Sequence, residues 1–271
     1  MTSTAVSTQL FGAQELTAAH LQMIRQSGFQ AIEVFAAPGH FEWQDEGSVA
    51  RIARIARNLG LIVTSLHAPW APGQDIAALD AEQREASVQA VERAVDALLV
   101  LGGDILILHP GAELSSPETK EEQLRLSRQS IARVARYCAA RGVRVALENP
   151  PPYELGGDSA DMRMLYEHFA HEPVIQACFD TGHAHISAEG VFFARDIRKD
   201  LLVVHISDNS GQADDHLPPP MGTIPWLDFF AVLRERHFDG SLVLELTDLP
   251  HPEQVLAAGW EWMNQALKRI T

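Results

Sequence analysis

The sequence predicts a single (β/α)8 barrel that spans residues 1–271. Short, nearly continuous apolar runs alternate with longer amphipathic runs rich in Ala, Glu, Arg and Leu, and this alternation continues along the whole chain. Continuous apolar strands are typical of parallel sheets that are covered on both faces. Eight such units of about 34 residues fill the chain, which matches the usual size of this fold. No linker or break in composition divides the sequence, so we predict one domain.

The predicted strands are the β-branched apolar runs, and the runs between them repeat apolar residues at helical spacing. Two early helical runs end at Gly28 and Gly60, where a helix C-cap favours a positive φ. An open, doubly wound sheet is the alternative, but such a sheet usually has a glycine-rich phosphate turn after its first strand. The segment TQLFGAQELT has no such turn, which favours the barrel. The eight strands are predicted at residues 5–11, 31–35, 61–67, 104–109, 143–148, 174–180, 201–207 and 241–247.

The charge composition and the apolar runs limit the class of protein. The chain has 21 Lys and Arg against 36 Asp and Glu, and its formal net charge is −15. That balance disfavours a protein that holds nucleic acid or a membrane through a broad basic surface. No membrane span is predicted, because the longest apolar run contains two glycines and Asp104. No secretory signal is predicted either, because the segment MTSTAVSTQLF has no basic region and no long apolar region. We therefore expect a soluble, cytoplasmic protein in which Cys138 and Cys178 are reduced and buried.

Histidines and carboxylates occur at the ends of six consecutive predicted strands, about 36 residues apart, and a closed barrel brings these ends together at its C-terminal mouth. Any one of these histidines alone would be compatible with a purely structural role. However, it would be costly to bury so many unpaired titratable groups without a cation. A set of ligands that mixes nitrogen and oxygen atoms suits Zn, Mn, Co or Fe. We therefore predict one to three divalent ions, held by His67, His109, Glu148, Asp180, His183, His205, Asp214, His216 and Glu245.

The ordered motifs SLHAPW, ILHPG, LENP, FDTGH, VHISD, DDH and LEL resemble the xylose isomerase-like TIM-barrel superfamily. This superfamily groups sugar-phosphate isomerases and epimerases with endonuclease IV-type AP endonucleases. For the ketose epimerase branch, the resemblance implies one ion on Glu148, Asp180, His205 and Glu245. The two glutamates would also form an acid/base pair on opposite faces of the substrate carbon. For the endonuclease branch, it implies a trinuclear zinc cluster on all nine positions, so the ligand count does not separate the branches.

Lys and Arg are missing from the segments that directly follow predicted strands 2 to 8. An enzyme acting on DNA needs cations for backbone phosphates, and a sugar-phosphate enzyme usually needs a cationic clamp. We therefore expect an uncharged sugar or polyol as substrate, and a metal-dependent isomerase or epimerase is the leading hypothesis. The alternatives are an inosose dehydratase-like lyase, an AP endonuclease-like metallohydrolase, which the charge pattern disfavours, and a non-catalytic binding barrel. The loop after predicted strand 7 lacks the arginine common in the epimerase branch, so 3-epimerase activity is less secure than superfamily membership.

Four further residues are predicted to contact the substrate. Glu33, inside predicted strand 2, could bond a substrate hydroxyl, and Trp70 and Trp226 could stack on the apolar face of a sugar. His185 lies in a segment expected at the mouth. Each residue also has a plainer interpretation as a satisfied buried group or as packing. The sequence leaves open which sugar is bound, which metal is used, and whether the chain forms a homo-oligomer.

Overall fold

The structure is a computed structural model that describes residues 2–71, 73–112 and 114–270. Eight parallel strands pair in sequence order, and the last strand pairs with the first to close a barrel. This architecture confirms the predicted (β/α)8 fold class. The ends of the predicted domain, residues 1 and 271, lie outside the described residues. The strands are β1 (Ser3–Ser7), β2 (Ala31–Phe35), β3 (Ile62–His67), β4 (Ile105–Leu108), β5 (Arg144–Glu148), β6 (Ile175–Asp180), β7 (Leu201–Ile206) and β8 (Ser241–Leu244).

Helices connect the strands and surround the barrel. Three 3-10 turns accompany them, at Thr8–Phe11, Pro117–Thr119 and Gly190–Arg195. Within the described part of the chain, no helix combines the length and the apolar composition that crossing a bilayer requires. The α-helices are α1 (Ala18–Gln26), α2 (Glu46–Leu59), α3 (Ala81–Leu101), α4 (Lys120–Ala139), α5 (Ser159–His168), α6 (Thr181–His185), α7 (Trp226–Glu235) and α8 (Pro252–Ile270).

The prediction of the first strand at residues 5–11 is wrong for its last four residues. The strand ends at Ser7, whose side-chain oxygen accepts a hydrogen bond from the backbone N–H of Gln9. That bond caps the 3-10 turn at Thr8–Phe11, because a serine at this position offers the backbone a local acceptor.

The segment GVFFARDIRKD, which precedes β7, forms the 3-10 turn Gly190–Arg195 and no α-helix. The α-helix of the sixth unit is instead the short α6, which begins directly after β6. The Asp180 side chain accepts from the backbone N–H of His183 and caps that helix. Gly190 then takes a φ of 58° at the start of the 3-10 turn.

The alternation of side chains along each strand decides what faces the interior. Inward-facing residues form a small apolar cluster inside the barrel, and successive residues on that face are two positions apart. The next inward position toward the mouth is therefore His109 on the β4 side, Glu148 on β5, Asp180 on β6, His205 on β7 and Glu245 after β8. The interior apolar cluster includes Ala5, Ile107, Ala146, Cys178, Val203 and Val243.

Cys138 and Cys178 are both free and buried, as the sequence predicted. Cys138 belongs to the larger core between the strands and the helices, and Cys178 belongs to the interior cluster.

Candidate metal centre

A cavity of about 100 Å³ lies at the carboxyl ends of the strands. Most of its wall consists of the histidines and carboxylates that the sequence singled out, and aromatic residues complete it. None of the described residues that line it is Lys or Arg, in agreement with the charge pattern of the sequence. The lining residues are Gln9, Phe35, His67, Trp70, His109, Glu148, Pro151, Tyr153, Glu154, His183, Asp214, His216 and Glu245.

The structure brings all nine predicted ligands together in three adjacent groups. Within each group, the candidate donor atoms lie within 4.8 Å of one another. Glu148 belongs to two of the groups, and the Cys178 sulfur also lies within this distance of donors on Glu148 and His205. The central group is Glu148, Asp180, His205 and Glu245; the His67 group is His67, His109 and Glu148; the His183 group is His183, Asp214 and His216.

His205 is the fully buried centre of the central group. Its Nδ1 atom lies 3.1 Å from Glu148 Oε1 and 3.1 Å from Glu245 Oε2. On the other side of the ring, Nε2 lies 3.2 Å from Glu33 Oε1. Burial favours the neutral imidazole, but the surrounding negative groups outweigh it and raise the pKa of His205 well above its usual value. The ring is therefore held between carboxylates on both of its nitrogens.

The carboxylates of the central group respond differently to the same environment. Burial, together with neighbouring negative charges, raises the pKa of Asp180 to about 6. For Glu245, burial also disfavours the charged form, but the adjacent His205 outweighs burial and lowers the pKa to about 2. His205 and His109 likewise hold the pKa of Glu148 well below its usual value against the effect of burial.

Several buried carboxylate oxygens of the site accept no hydrogen bond from the described residues. Glu148 Oε2 lies 3.3 Å from His109 Nε2 and 3.4 Å from His67 Nε2, yet it accepts no well-aligned bond. Asp180 Oδ2 and Asp214 Oδ1 also accept no hydrogen bond from the described residues. Buried lone pairs left in this state are costly. Carboxylate oxygens and imidazole nitrogens that converge in this way fit a divalent transition metal.

The histidines of the His67 group are held with Nε2 toward Glu148. His67 Nδ1 lies 2.9 Å from the carbonyl oxygen of Ala68, which accepts its hydrogen and so orients the ring. His109 Nδ1 lies 3.1 Å from Glu154 Oε2. Burial favours the neutral form of His109, but Glu148 and Glu154 outweigh it and raise its pKa to about 10.

In the His183 group, one aspartate oxygen faces two histidines. Asp214 Oδ2 lies 3.1 Å from His183 Nε2 and 3.1 Å from His216 Nε2. Asp214 outweighs burial and raises the pKa of His216 to about 9. His216 also has a φ of 46°, a left-handed conformation that is uncommon for a residue with a side chain. The surrounding contacts hold this strained backbone, as is common at functional sites.

Asp208 fixes the loop after β7 that carries Asp214 and His216. Its backbone N–H and carbonyl pair with Leu217, both at 2.8 Å. Its carboxylate accepts bonds from three N–H groups, on Asn209, Ile224 and the Trp226 indole, at 2.9, 3.2 and 3.0 Å. A buried aspartate therefore sets the position of two candidate ligands.

Of the four predicted substrate contacts, only Trp70 lies on the cavity, where it is 43% exposed. Trp226 is buried instead, because its indole bonds Asp208 and its ring packs 4.7 Å from that of Trp262. His185 is turned toward Thr223, with Nε2 2.9 Å from the hydroxyl oxygen. Glu33 is fully buried beneath His205, where Ser65 also donates to it at 2.8 Å, so its carboxylate contacts a candidate ligand rather than the cavity.

One segment after β5 contributes three residues to the site that were not singled out from the sequence. Asn149 exchanges two hydrogen bonds with the Asp180 backbone, and its carbonyl lies 2.9 Å from His183 Nδ1. Glu154 orients His109, and Tyr153 lies on the cavity wall. All three belong to the segment ENPPPYE, which begins at Glu148, so the continuation of the LENP motif was the available signal.

Fold and site together define an α/β barrel with a candidate metal centre at its C-terminal mouth. The family model described as xylose isomerase-like TIM barrel matches residues 21–266. The chain belongs to that family, and the resemblance drawn from its motifs is confirmed.

Similar proteins extend over nearly the whole chain. An uncharacterized protein of Methanocaldococcus jannaschii is 23% identical over 270 residues, which cover 96% of this chain and 90% of that protein. The solved structure of a D-tagatose 3-epimerase-like protein has a TM-score of 0.87 at 19% identity, covering 99% and 98% of the two chains. The structure of an IolI protein with a bound zinc atom has a TM-score of 0.84 at 14% identity, covering 99% of each chain. At these identities, the two structures establish the shared fold.

Proposed function

We propose that this protein is a metal-dependent isomerase or epimerase that moves a proton next to the carbonyl of a small, uncharged sugar or polyol. The observation that supports the proposal is the convergence of Glu148 and Glu245 on the central group. The two carboxylates come from β5 and from the end of β8, and each lies 3.1 Å from the same nitrogen of His205. Two carboxylates beside one ion site can supply the base that removes a proton from a single carbon and the acid that returns one.

The four residues of the central group would hold a divalent ion of the Zn, Mn, Co or Fe type. Such an ion, when bound, polarises a substrate carbonyl and so acidifies the adjacent C–H group. Glu148 and Glu245 are both ionised at neutral pH because their pKa values are lowered, so either can accept that proton. One glutamate takes the proton and the other, or the same one, returns it.

The cavity lining favours an uncharged substrate. It contains several carboxylates and no Lys or Arg that could neutralise a phosphate. Trp70 and Tyr153 border the cavity with exposed rings, which suit the C–H face of a sugar. The D-tagatose 3-epimerase-like structure and the zinc in the IolI structure are consistent with this chemistry in the same fold. An inosose dehydratase-like lyase would begin with the same proton removal and differ in losing water.

A second candidate is an AP endonuclease-like metallohydrolase. The observation that favours it is the full set of three donor groups, in which Glu148 is shared between two. Up to three ions could then be held close together, an arrangement that suits phosphoester hydrolysis. The absence of Lys and Arg from the cavity lining weighs against a nucleic-acid substrate.

The test begins with purified protein whose bound metals are counted by mass spectrometry. The protein is incubated in deuterated water with neutral ketoses and inososes and followed by NMR, and an abasic-site duplex is assayed in parallel on a gel. We expect deuterium at the carbon next to the carbonyl. Glu148→Gln and Glu245→Gln should each slow this exchange by about 10²–10⁴-fold, which is the usual contribution of a positioned acid or base.

Glu121→Gln, an exposed change in the first turn of α4, is the matched control and should leave exchange unaltered. Loss of water from an inosose would identify the lyase. Cleavage of the abasic duplex with no exchange on any sugar would refute the isomerase proposal and favour the hydrolase.

A further inference from the structure

The candidate metal ligands leave one sector of the barrel mouth to other residues. All nine ligands lie on strands β3 to β8 or in the segments that directly follow them. Over the two remaining strands, the cavity is lined by Gln9, which follows β1, and by Phe35, which ends β2. We call these two residues the β1–β2 wall. This wall is therefore available to the part of a substrate that no metal ion would hold.

The backbone of Gln9 is fixed, whereas its side chain is held loosely. Its backbone N–H donates to Ser7 Oγ at 3.3 Å, and its carbonyl accepts from the N–H of Gly12 at 2.7 Å. Its side-chain amide donates to Thr247 Oγ1 at 3.5 Å, which is long for a hydrogen bond, and Thr247 is exposed. The amide can therefore exchange this contact for a ligand hydroxyl at little cost in free energy.

Phe35 is held beside Gln9 by a hydrogen bond between their two segments. Its backbone N–H donates at 2.9 Å to the hydroxyl of Thr8, the residue before Gln9. Its half-buried ring meets the ring of His67 edge to face, with the centroids 5.5 Å apart. Among the described residues that line the cavity, Gln9 is the one with a side-chain amide. The β1–β2 wall therefore places a neutral group that both donates and accepts next to an aromatic surface.

The central group determines which carbons of a substrate would face this wall. Its four donors come from β5, β6, β7 and the residue after β8. Strand β8 pairs with β1, so Gln9 adjoins the side of the group that holds Glu245. A ketose with its carbonyl at the central group would therefore have the β1–β2 wall beside the carbons that lie beyond the carbonyl.

We propose that the β1–β2 wall selects ketoses with a hydroxyl group beyond the reacting carbons, and that Gln9 is the residue that recognises this hydroxyl. The inference rests on the proposed function, which places the reacting carbons at the central group. The Gln9 amide would form a hydrogen bond with the hydroxyl, and Phe35 would pack against the neighbouring C–H groups. Gln9 is then a specificity-determining residue, because a three-carbon ketose would reach the central group without reaching it.

The test compares dihydroxyacetone, which has three carbons, with erythrulose and ribulose, which have four and five. Binding to the metal-loaded protein is measured by NMR titration, and deuterium exchange is followed on the same samples. We expect at least one longer ketose to bind about tenfold more tightly than dihydroxyacetone, as one additional hydrogen bond would allow. Gln9→Leu should reduce this ratio to within twofold of one, and Gln9→Ala should do the same. The matched control is Gln14→Leu, the same substitution at an exposed position between β1 and α1, which should leave the ratio unaltered.

The inference is overturned if neither longer ketose binds more tightly than dihydroxyacetone, or if the ratio survives both substitutions of Gln9. Its failure is distinguishable from failure of the proposed function. Tighter binding that depends on Gln9, with no deuterium exchange on any ketose, would retain the role of Gln9 and refute the isomerase. Exchange on the ketoses with a ratio that does not depend on Gln9 would retain the isomerase and refute the role of Gln9.

Discussion

Replacement of Glu33 by Gln tests whether a residue outside the cavity controls the candidate metal centre. The Glu33 carboxylate lies 3.2–3.3 Å from His205 Nε2, and both residues are fully buried. In the metal-bound protein it would therefore favour a His205 ring that carries its proton on Nε2 and leaves the lone pair of Nδ1, on the side of Glu148 and Glu245, to bind the ion. Loss of such a partner typically weakens metal binding by 10–100-fold, or about 1.4–2.7 kcal/mol. We expect Glu33→Gln to reduce Co²⁺ or Zn²⁺ affinity by this amount.

The assay is competition with a chelator of known affinity, together with the visible spectrum of the Co²⁺ form. Ser65→Ala removes one hydrogen bond to Glu33 but keeps its charge, so it should weaken metal binding by only a few-fold. Glu121→Gln should leave the affinity unaltered. Circular dichroism establishes that each variant is folded. An affinity for Glu33→Gln within twofold of the parent protein would refute the reasoning.

Three further predictions concern protons, the loop after β7 and the core. The raised pKa values of His109 and His216, about 10 and 9, mean that both are protonated at pH 7 in the metal-free protein. Metal binding should therefore release protons, and the metal affinity should increase from pH 6 to 9. Calorimetry in two buffers would show the proton release, and an affinity independent of pH would contradict the prediction. Asp208→Ala leaves three N–H donors without their acceptor and should lower the free energy of unfolding by about 3 kcal/mol, measured in urea. A decrease of less than 1 kcal/mol would mean that water replaces the carboxylate. Tyr166→Phe removes one buried bond to the carbonyl of Leu147 and should cost about 1 kcal/mol by the same assay, with a much larger loss pointing to repacking.

The fold and the convergence of the nine candidate ligands could be predicted from the sequence because both follow from local pattern. Continuous apolar runs mark parallel strands, and seven of the eight predicted strands lie within three residues of those in the structure. A closed barrel then requires the strand ends to converge. His67 and Glu245 lie far apart in the sequence, yet their positions at strand ends were sufficient to place them at one mouth.

The remaining contacts could not be predicted, because each depends on a partner distant in the sequence. Glu33 was predicted to contact the substrate, but in the structure its carboxylate lies against His205, which is 172 residues away in the sequence. Trp226 was predicted to contact the substrate, but Asp208 and Trp262 hold it in the core. The residues next to Trp226 in the sequence do not indicate these two contacts. The cytoplasmic location stays a prediction.

Under the proposed function, the shared position of Glu148 would make proton transfer depend on how many ions the barrel holds. Glu148 belongs to both the His67 group and the central group, so ions in both would occupy its carboxylate and leave Glu245 as the glutamate that accepts a proton. Metal supply would therefore slow proton transfer without any change in the protein. His67 and His109 are accordingly the positions at which divergence or engineering could separate the two chemistries, with the glutamates left untouched.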